Sequence, residues 1–312
     1  MKIKMYSKRN ICLVPTYSCN ANCPFCYAKK FQKKFRKEMD WQTFKKVIGL
    51  SIKEGKNEVS FLGGEPTIWL YINQAVSFLR ERNIQISFFT NGITYSKVAP
   101  DCVLINIYNF FNSITRESIK KTIYFYKSQG VEIGLRYNLT LEASLKEDKS
   151  FLRFATPLAD YISISPAIPY LPSRSLGNRI FKLVQDFHKC GKSVKIARAI
   201  PICLFNAEQF RYLRKESLLH TECYSKKNVV INPDGKTVSP CVNISAFSKD
   251  LFKDNLKKIN ADYKKFFRYL GKIYPFPECQ ECEYALDNRC QAGCLGMRSS
   301  KAINIAIKKT NL

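Results

Sequence analysis

The sequence predicts an α/β fold, in which a parallel sheet of repeated β–α units is followed by a smaller C-terminal α+β domain. Short apolar segments alternate with amphipathic helical segments from residue 9 to residue 165, a pattern typical of parallel β–α units. A proline-containing break follows at Pro166–Pro172. Seven of the thirteen cysteines lie from Cys203 onward. We therefore expect one domain at residues 1–200 and a second at residues 201–312.

The order of strands and helices is predicted from hydrophobic periodicity and from residues that cap helices. Residues 9–17 are predicted as the first strand, and Glu58–Leu62 as the second. Between them, Asp40 is expected to cap a helix at Trp41–Lys53, whose apolar residues share one face. Further helices are predicted at Tyr71–Arg82, Arg116–Ser128, Lys149–Ala159 and Gly177–Cys190. Further strands are predicted at Ile84–Phe89, Cys102–Tyr108, Val131–Asn138, Tyr161–Ser165 and Val194–Ile200.

The overall composition indicates a soluble globular protein. Hydrophobic residues make up 46% of the 312 residues, and no apolar segment approaches the ~20 residues that a membrane-spanning helix needs. The N-terminus lacks the apolar core of a signal peptide, so we expect a cytoplasmic protein with no membrane contact. A reducing compartment would also keep the thiols free.

The formal net charge of +26 favours an anionic partner, such as a nucleic acid, an acidic peptide or a phosphorylated substrate. The alternative is lysine-rich codon usage, because Lys, Ile and Asn are frequent throughout the chain. The positive charge is dispersed, and no nucleic-acid-binding motif is present.

Three cysteines after the first strand form a C-x3-C-x2-C pattern: Cys19, Cys23 and Cys26. Three thiolates at this spacing can hold three irons of a cubane cluster and leave the fourth iron open to a chelating molecule. A zinc site is the alternative, but zinc usually takes four ligands and no histidine is near. A disulfide framework fits poorly with an odd number of cysteines.

This loop resembles the cluster loop of the radical S-adenosylmethionine (radical SAM) enzymes, where an aromatic residue, here Phe25, precedes the third cysteine. The turn Gly63-Gly64-Glu65, after the second strand, matches the motif that binds the methionine amino group in that family. Thr90-Asn91-Gly92 after the third strand is also frequent there. The resemblance implies a partial (β/α)6 barrel, a catalytic [4Fe-4S] cluster and S-adenosylmethionine as cosubstrate.

Polar residues near the carboxyl ends of the later strands are candidates for contacts with the adenosyl group or the substrate, because ligands of such sheets lie at that edge. The alternative for each is a hydrogen bond within the sheet. These residues are Asn106, Tyr108, Arg136, Asn138, Ser163 and Ser165.

The C-terminal cysteines, with a β-hairpin predicted at Val229–Val238, resemble the SPASM extension of peptide-modifying radical SAM enzymes. That extension has two cysteines around the hairpin, then C-x2-C-x5-C-x3-C and a last cysteine. Here the gap between the second and third cysteines of the run, Cys282 and Cys290, has seven residues instead of five, and no cysteine follows Cys294. The family's last ligand is therefore absent.

The resemblance implies one auxiliary [4Fe-4S] cluster on Cys223, Cys241 and Cys294, with Cys203 as the nearest candidate for its fourth ligand. It implies a second on Cys279, Cys282 and Cys290, with one iron open or bound by another group. The alternative is a structural zinc site formed by the last four cysteines. One or two auxiliary clusters are thus expected.

The resemblance implies an enzyme that cleaves S-adenosylmethionine reductively and abstracts a hydrogen from a ribosomally made peptide or a protein. We expect that substrate to be acidic, and an electron donor such as flavodoxin or ferredoxin. The chain leaves no room for an N-terminal leader-recognition domain, so we expect any leader peptide to bind elsewhere or through a separate leader-binding protein. The alternatives are a radical SAM enzyme acting on RNA or an anionic small molecule, and a non-enzymatic iron–sulfur or zinc protein that binds nucleic acid.

Overall fold

The fold was analysed in a computed structural model that describes residues 10–35, 37–111, 113–140, 145–168, 170, 172–221, 223, 229–244 and 247–310. Parts of two predicted segments, residues 9–17 and 166–172, lie outside the described residues. The chain forms two compact units, one of Met1–Ile133 with Ser225–Lys264 and one of Gly134–Tyr224 with Lys265–Leu312. The predicted domain boundary at residue 200 stays a prediction.

The first unit contains a mainly parallel sheet, as the sequence predicts. Its four successive parallel strands are β1 (Asn10–Leu13), β2 (Glu58–Phe61), β3 (Gln85–Thr90) and β4 (Cys102–Asn106). The first strand is shorter than predicted because Pro15 has no N–H to continue the ladder. The fourth ends early because the Asn106 Oδ1 accepts a hydrogen bond from the Tyr108 N–H (3.1 Å) and turns the chain.

The predicted hairpin is present and extends the same sheet. Its strands are β8 (Val230–Ile231) and β9 (Thr237–Ser239), and β10 (Lys249–Asp250) pairs with β9. The strand β8 lies parallel to β1, with Cys12 opposite Val230. The strand order in this unit is therefore β10-β9-β8-β1-β2-β3-β4.

Helices pack on the sheet of the first unit. They are α1 (Lys29–Gln32), α2 (Trp41–Lys53), α3 (Ile72–Arg80), α4 (Ser113–Ser128) and most of α8 (Leu256–Leu270). The predicted Asp40 cap is present, since its carboxylate accepts the Thr43 N–H at 2.9 Å. The Glu54 carboxylate caps α8 by accepting the N–H groups of Leu256 and Lys257.

The second unit contains a parallel three-stranded sheet and helices. The strands are β5 (Glu132–Leu139), which begins at the end of the first unit, β6 (Tyr161–Pro166) and β7 (Ser193–Ile196). The helices are α5 (Leu145–Leu158), α6 (Arg174–Lys189), α7 (Ala207–Lys215), α9 (Glu283–Leu286) and α10 (Ser300–Thr310). None of the described helices is long and apolar enough to cross a lipid bilayer.

A buried ion pair joins α5 to α6 in the second unit. The Arg179 guanidinium donates to both Asp148 oxygens, from Nε and Nη2, each at 2.6 Å. The Tyr137 hydroxyl donates to the Asp148 Oδ1 at 2.8 Å. The pair is largely shielded from water, with 16% and 9% of the two side chains exposed, so each charge depends on the other.

We predict that Arg179→Ala lowers the free energy of unfolding by about 3–5 kcal/mol, because it leaves a buried carboxylate without its partner. The matched control is Lys182→Ala on the same helix, which breaks an exposed pair with Asp186 and should cost under about 1 kcal/mol. Urea denaturation of both variants measures the difference. Equal effects would show that the Arg179 pair contributes no more than a surface pair.

Candidate active site

The cysteine loop and the Gly63-Gly64-Glu65 turn lie side by side, because each follows one of two paired parallel strands, β1 and β2. Their pairing continues past the strands, where the Gly64 N–H donates to the Thr16 carbonyl (3.0 Å) and the Glu65 N–H donates to the Ser18 carbonyl (2.9 Å). The Tyr27 hydroxyl returns a hydrogen bond to the Gly63 carbonyl at 2.9 Å. The turn therefore holds the loop on both sides of Cys19.

The two glycines of the turn are required by the backbone of the cysteine loop. A Cβ at Gly63, which has φ +138°, would lie 2.5 Å from the Thr16 carbonyl oxygen. A Cβ at Gly64 would overlap the Ser18 carbonyl oxygen and lie 2.5 Å from that of Tyr17. The absence of a side chain at these two positions therefore permits a close approach between two segments of the chain.

The three thiols occupy one loop with partial exposure. Cys19, Cys23 and Cys26 are all half-buried free thiols, and a turn brings the Cys26 N–H to the Cys23 carbonyl at 3.2 Å. Burial raises the pKa of Cys19, and the nearby Glu65 and Cys26 add to this, while hydrogen bonds from Ala21 and Asn91 oppose it. Half-buried thiols on one loop fit a cluster bound through three cysteines.

Glu65 is a buried hub behind the cysteine loop. Its side chain has no exposed surface, and its Oε1 accepts hydrogen bonds from the Thr67 N–H (3.1 Å), the Thr67 hydroxyl (2.7 Å) and the Thr90 hydroxyl (2.8 Å). Its Oε2 accepts the Asn91 N–H at 2.7 Å. Burial raises the pKa of Glu65, and these four hydrogen bonds oppose the rise.

Asn91 connects this hub to the cysteine loop. Its side-chain amide donates to the Asn20 Oδ1 at 2.7 Å and to the Cys19 Sγ at 3.6 Å. Its Oδ1 accepts the Ile93 N–H at 2.9 Å, which fixes the amide orientation. Asn91 is not among the candidate site residues predicted from the sequence, although the Thr90-Asn91-Gly92 turn is a signal for it.

The other candidate residues of the first unit are Phe25, Asn106, Tyr108 and Cys241. The Phe25 ring meets the Tyr108 ring edge-on, with 4.8 Å between centroids. Asn106, at the end of β4, is half-buried and uses its Oδ1 in the turn to Tyr108. Burial raises the pKa of the Cys12 thiol to about 12, and the nearby Cys241 makes a smaller contribution to this rise.

The candidate residues on β5 and β6 belong to the second unit. Arg136 lies opposite Ser163 and donates from Nε to its hydroxyl at 3.3 Å, a hydrogen bond within the sheet. Asn138 lies opposite Ser165, and both are buried. Their predicted ligand contacts stay predictions.

The remaining cysteines of the predicted auxiliary sites also belong to the second unit: Cys203, Cys223, Cys279, Cys282, Cys290 and Cys294. Among the described residues, no three His, Cys, Asp or Glu side chains converge closely enough to hold a single metal ion. The predicted ligand sets stay predictions.

Comparison with known proteins gives a family assignment for part of the first unit. Residues 13–133 match the radical SAM superfamily. This segment contains the cysteine loop, the Gly63-Gly64-Glu65 turn and the Thr90-Asn91-Gly92 turn.

Solved structures of similar fold include SuiB from Streptococcus suis bound to S-adenosylmethionine, with a TM-score of 0.64 and 15% identity over 91% of this chain and 70% of that chain. Native anSMEcpe with bound AdoMet has a TM-score of 0.63 and 16% identity over 96% of this chain and 95% of that chain. These similarities support the α/β fold with a parallel sheet.

Two curated relatives are named "Probable GTP 3',8-cyclase". The protein from Methanococcus maripaludis is 24% identical over 184 residues, which are 53% of this chain and 61% of the relative. The protein from Pyrococcus abyssi is 27% identical over 92 residues, which are 30% of each chain. The chain therefore spans less than two thirds of the length of either relative.

We predict that Gly64→Ala displaces the cysteine loop, because the new Cβ would overlap the Ser18 carbonyl. The free energy of unfolding should fall by about 1–3 kcal/mol, and the iron bound after reconstitution should fall with it. The control is Gly49→Ala in the interior of α2, where a Cβ would meet nothing within 4 Å. That variant should be neutral or more stable by up to about 1 kcal/mol. If the two variants had the same free energy of unfolding and bound the same amount of iron, the packing role assigned to Gly64 would be wrong.

Proposed function

We propose that the chain is a radical SAM enzyme that modifies a ribosomally made peptide or a protein. The observation that carries the proposal is the arrangement of three part-exposed thiols on one loop in front of the buried carboxylate of Glu65. In the described part of the chain, the hydrogen-bond donors to this carboxylate are neutral groups, and no lysine, arginine or histidine pairs with it. A cationic cosubstrate would supply the missing positive charge.

Within this proposal, Cys19, Cys23 and Cys26 hold the catalytic cluster, and Gly63, Gly64 and Glu65 position the cosubstrate. The cluster and S-adenosylmethionine would supply a 5′-deoxyadenosyl radical that abstracts a hydrogen from the substrate. Asn91 fixes the orientation of the Cys19 side of the loop through its two side-chain hydrogen bonds. Phe25, Asn106, Asn138 and Ser163 are candidates for contacts with the adenosyl group.

A peptide or protein substrate is favoured by the structures of similar fold. One of them is SuiB bound to its precursor peptide SuiA, and another is anSMEcpe bound to AdoMet and the Cp18Cys peptide. The net charge of +26 suits an acidic peptide. The same proposal includes two further proteins, an electron donor such as flavodoxin or ferredoxin and a separate leader-binding protein. It also includes a SPASM-like C-terminal domain with auxiliary clusters, and a cytoplasmic location that keeps the thiols reduced.

A second candidate is a radical SAM enzyme that acts on a nucleotide. The curated relatives are named as GTP cyclases, and the net positive charge suits a polyphosphate as well as it suits an acidic peptide. Incubating the reconstituted, reduced protein with S-adenosylmethionine and GTP separates the two. Conversion of GTP to a cyclised product would favour the nucleotide, and an unchanged GTP pool would favour the peptide.

We predict that replacing Cys19, Cys23 and Cys26 together by Ala abolishes formation of 5′-deoxyadenosine while some iron remains bound to the C-terminal cysteines. Product formation and iron per chain are measured after anaerobic reconstitution. The control is Cys190→Ala, which removes an exposed thiol in the second unit and should leave both quantities unchanged. Continued 5′-deoxyadenosine formation by the triple variant would contradict the assignment of the loop.

We predict that Glu65→Gln weakens binding of S-adenosylmethionine by about 1.5–3 kcal/mol, the range for an interaction with a charged group, because it removes the buried negative charge that a cationic cosubstrate would offset. Thr67→Val is the control, because it removes one hydrogen-bond donor to the same carboxylate but leaves its charge. Equilibrium binding to the reconstituted protein gives both affinities. An equal loss of affinity in the two variants would show that binding depends on the hydrogen bonds around Glu65 and not on its negative charge.

A further inference from the structure

The hairpin of β8 and β9 meets the cysteine loop at its base, although it lies far downstream in the chain. Its residues belong to the first compact unit, together with the loop. The Val14 N–H donates to the Ile231 carbonyl at 2.9 Å, which extends the pairing of β1 with β8 toward the loop. Asn232 follows Ile231 directly and is therefore placed where β1 ends and the cysteine loop begins.

Asn232 binds a tyrosine of the loop through a hydrogen bond whose direction is fixed. Its side chain is fully buried, and its Oδ1 accepts the Tyr17 hydroxyl at 2.7 Å across 215 residues of sequence. Its Nδ2 donates to the Thr237 carbonyl and to the Ser239 hydroxyl, each at 2.9 Å. Because a carbonyl can only accept, the amide nitrogen must face Thr237 and the amide oxygen must face Tyr17. The hairpin itself therefore sets this contact.

Tyr17 joins the two flanks of the cysteine loop. Its ring stacks on the Phe31 ring with 5.0 Å between centroids, and the Phe35 ring lies 5.7 Å away. Its carbonyl accepts the Gln32 Nε2 at 3.0 Å. Tyr17 precedes the three cysteines in the chain, whereas these three partners follow them. The side chain and carbonyl of Tyr17 thus close the loop at its base.

A second contact ties the far flank of the loop to the chain just after the hairpin. The Lys30 Nζ, on the short helix α1 that follows the cysteines, donates to the Asn243 carbonyl at 2.7 Å. The neighbouring Val242 packs on the same apolar cluster as Cys26. The stretch of residues 230–243, called here the hairpin segment, therefore contacts the loop before its first cysteine and after its last.

The hydroxyl of Tyr17 makes the position of the loop specific. A phenylalanine at this position would keep the ring stacking, so packing alone does not require the oxygen. A buried hydroxyl is costly without a partner, and the partner here is held in place by the hairpin. Movement of the loop base away from Asn232 therefore carries a free-energy cost that ring packing alone would not impose.

We propose that the hairpin segment is a clamp for the cysteine loop, and that Tyr17 and Asn232 are positioning residues which fix the base of the loop for cluster binding. The inference rests on the proposed function and deepens it, because it assigns positioning groups to the loop that would hold the catalytic cluster. Three thiolates must stand at set places around a cubane, and a loop of irregular backbone needs supporting contacts to keep them there. A loop that is already ordered loses less conformational freedom when the iron binds.

The first test measures mobility of the loop in the metal-free full chain. Tyr17→Phe removes the hydroxyl and keeps the ring, and Asn232→Leu removes its acceptor. The matched control is Tyr263→Phe, which removes another buried tyrosine hydroxyl that donates to the same hairpin, at the Val238 carbonyl (2.7 Å). Hydrogen–deuterium exchange of the backbone amides in residues 17–32 is followed by mass spectrometry.

We expect exchange in residues 17–32 to become about 3–10 times faster in Tyr17→Phe and Asn232→Leu, the effect of losing one hydrogen bond that opposes local opening. Tyr263→Phe should exchange there at the rate of the parent chain. The double variant of Tyr17 and Asn232 should exchange no faster than the faster single variant, because both substitutions remove the same interaction.

The second test measures the cluster that the loop holds. Iron held by the loop is the difference between each reconstituted variant and the same variant with Cys19, Cys23 and Cys26 replaced by Ala. We expect a chelator to remove this iron about 3–10 times faster in Tyr17→Phe, since release follows opening of the loop. The electron paramagnetic resonance (EPR) signal of this cluster should also broaden, because the thiolates occupy a wider range of positions. Tyr263→Phe should keep the parent's rate and signal.

The contact on the far flank is tested by a pair of neighbouring lysines. Lys30→Met removes the hydrogen bond to the Asn243 carbonyl, whereas Lys29→Met removes an exposed charge beside it. We expect faster exchange in residues 26–32 for Lys30→Met alone. Equal exchange in the two variants would overturn this contact as part of the clamp.

Two results would overturn the positioning role of Tyr17 and Asn232. One is a Tyr17→Phe chain whose loop exchange and iron release match those of Tyr263→Phe. The other is a double variant whose effect is the product of the two single effects. Exchange is read without metal, so it does not depend on the proposed function. Failure of that function would appear instead as a parent chain that holds a cluster in the loop but makes no 5′-deoxyadenosine.

Discussion

The candidate active site depends on the buried carboxylate of Glu65. Three turns follow three neighbouring parallel strands, and each is tied to this group or to the loop beside it. Glu65 itself belongs to the second turn, and Thr90 and Asn91 of the third turn donate to it. Asn91 then reaches the Cys19 thiol of the first. A carboxylate with no exposed surface is costly unless its hydrogen bonds are complete, so the position of each turn constrains the other two.

This arrangement explains why a glycine pair and an acidic residue occur together in the second turn. Gly63 and Gly64 allow the turn to lie against the carbonyl groups of Thr16, Tyr17 and Ser18, and only that closeness brings Glu65 behind the cysteine loop. In the proposed enzyme, the same residues that bind the cosubstrate would also hold the cluster loop in place. Substitutions at the turn should therefore affect stability, cluster binding and cosubstrate binding together.

Local signals in the sequence predicted the elements and motifs, whereas contacts distant in sequence were not predictable. The helix Trp41–Lys53 has an apolar face and an Asp40 cap, and its observed bounds match the prediction. The strand β8 has two residues, too few for periodicity to reveal its pairing with β1. The buried Glu65 carboxylate is held by Thr90 and Asn91, which lie 25 and 26 residues further along the chain and reach it only through tertiary packing. A cysteine pattern gives the types of ligand but not their grouping in space.

The central claim is that the cysteine loop holds a cluster with one iron open to S-adenosylmethionine. It is tested most directly by the EPR spectrum of the reconstituted, reduced chain recorded with and without S-adenosylmethionine. The account predicts that one cluster signal changes on addition of the cosubstrate, because ligation at the open iron alters its surroundings, while signals from C-terminal clusters stay the same. A spectrum that S-adenosylmethionine leaves unchanged, in a chain whose cysteine loop is shown to carry a reduced cluster, would contradict it.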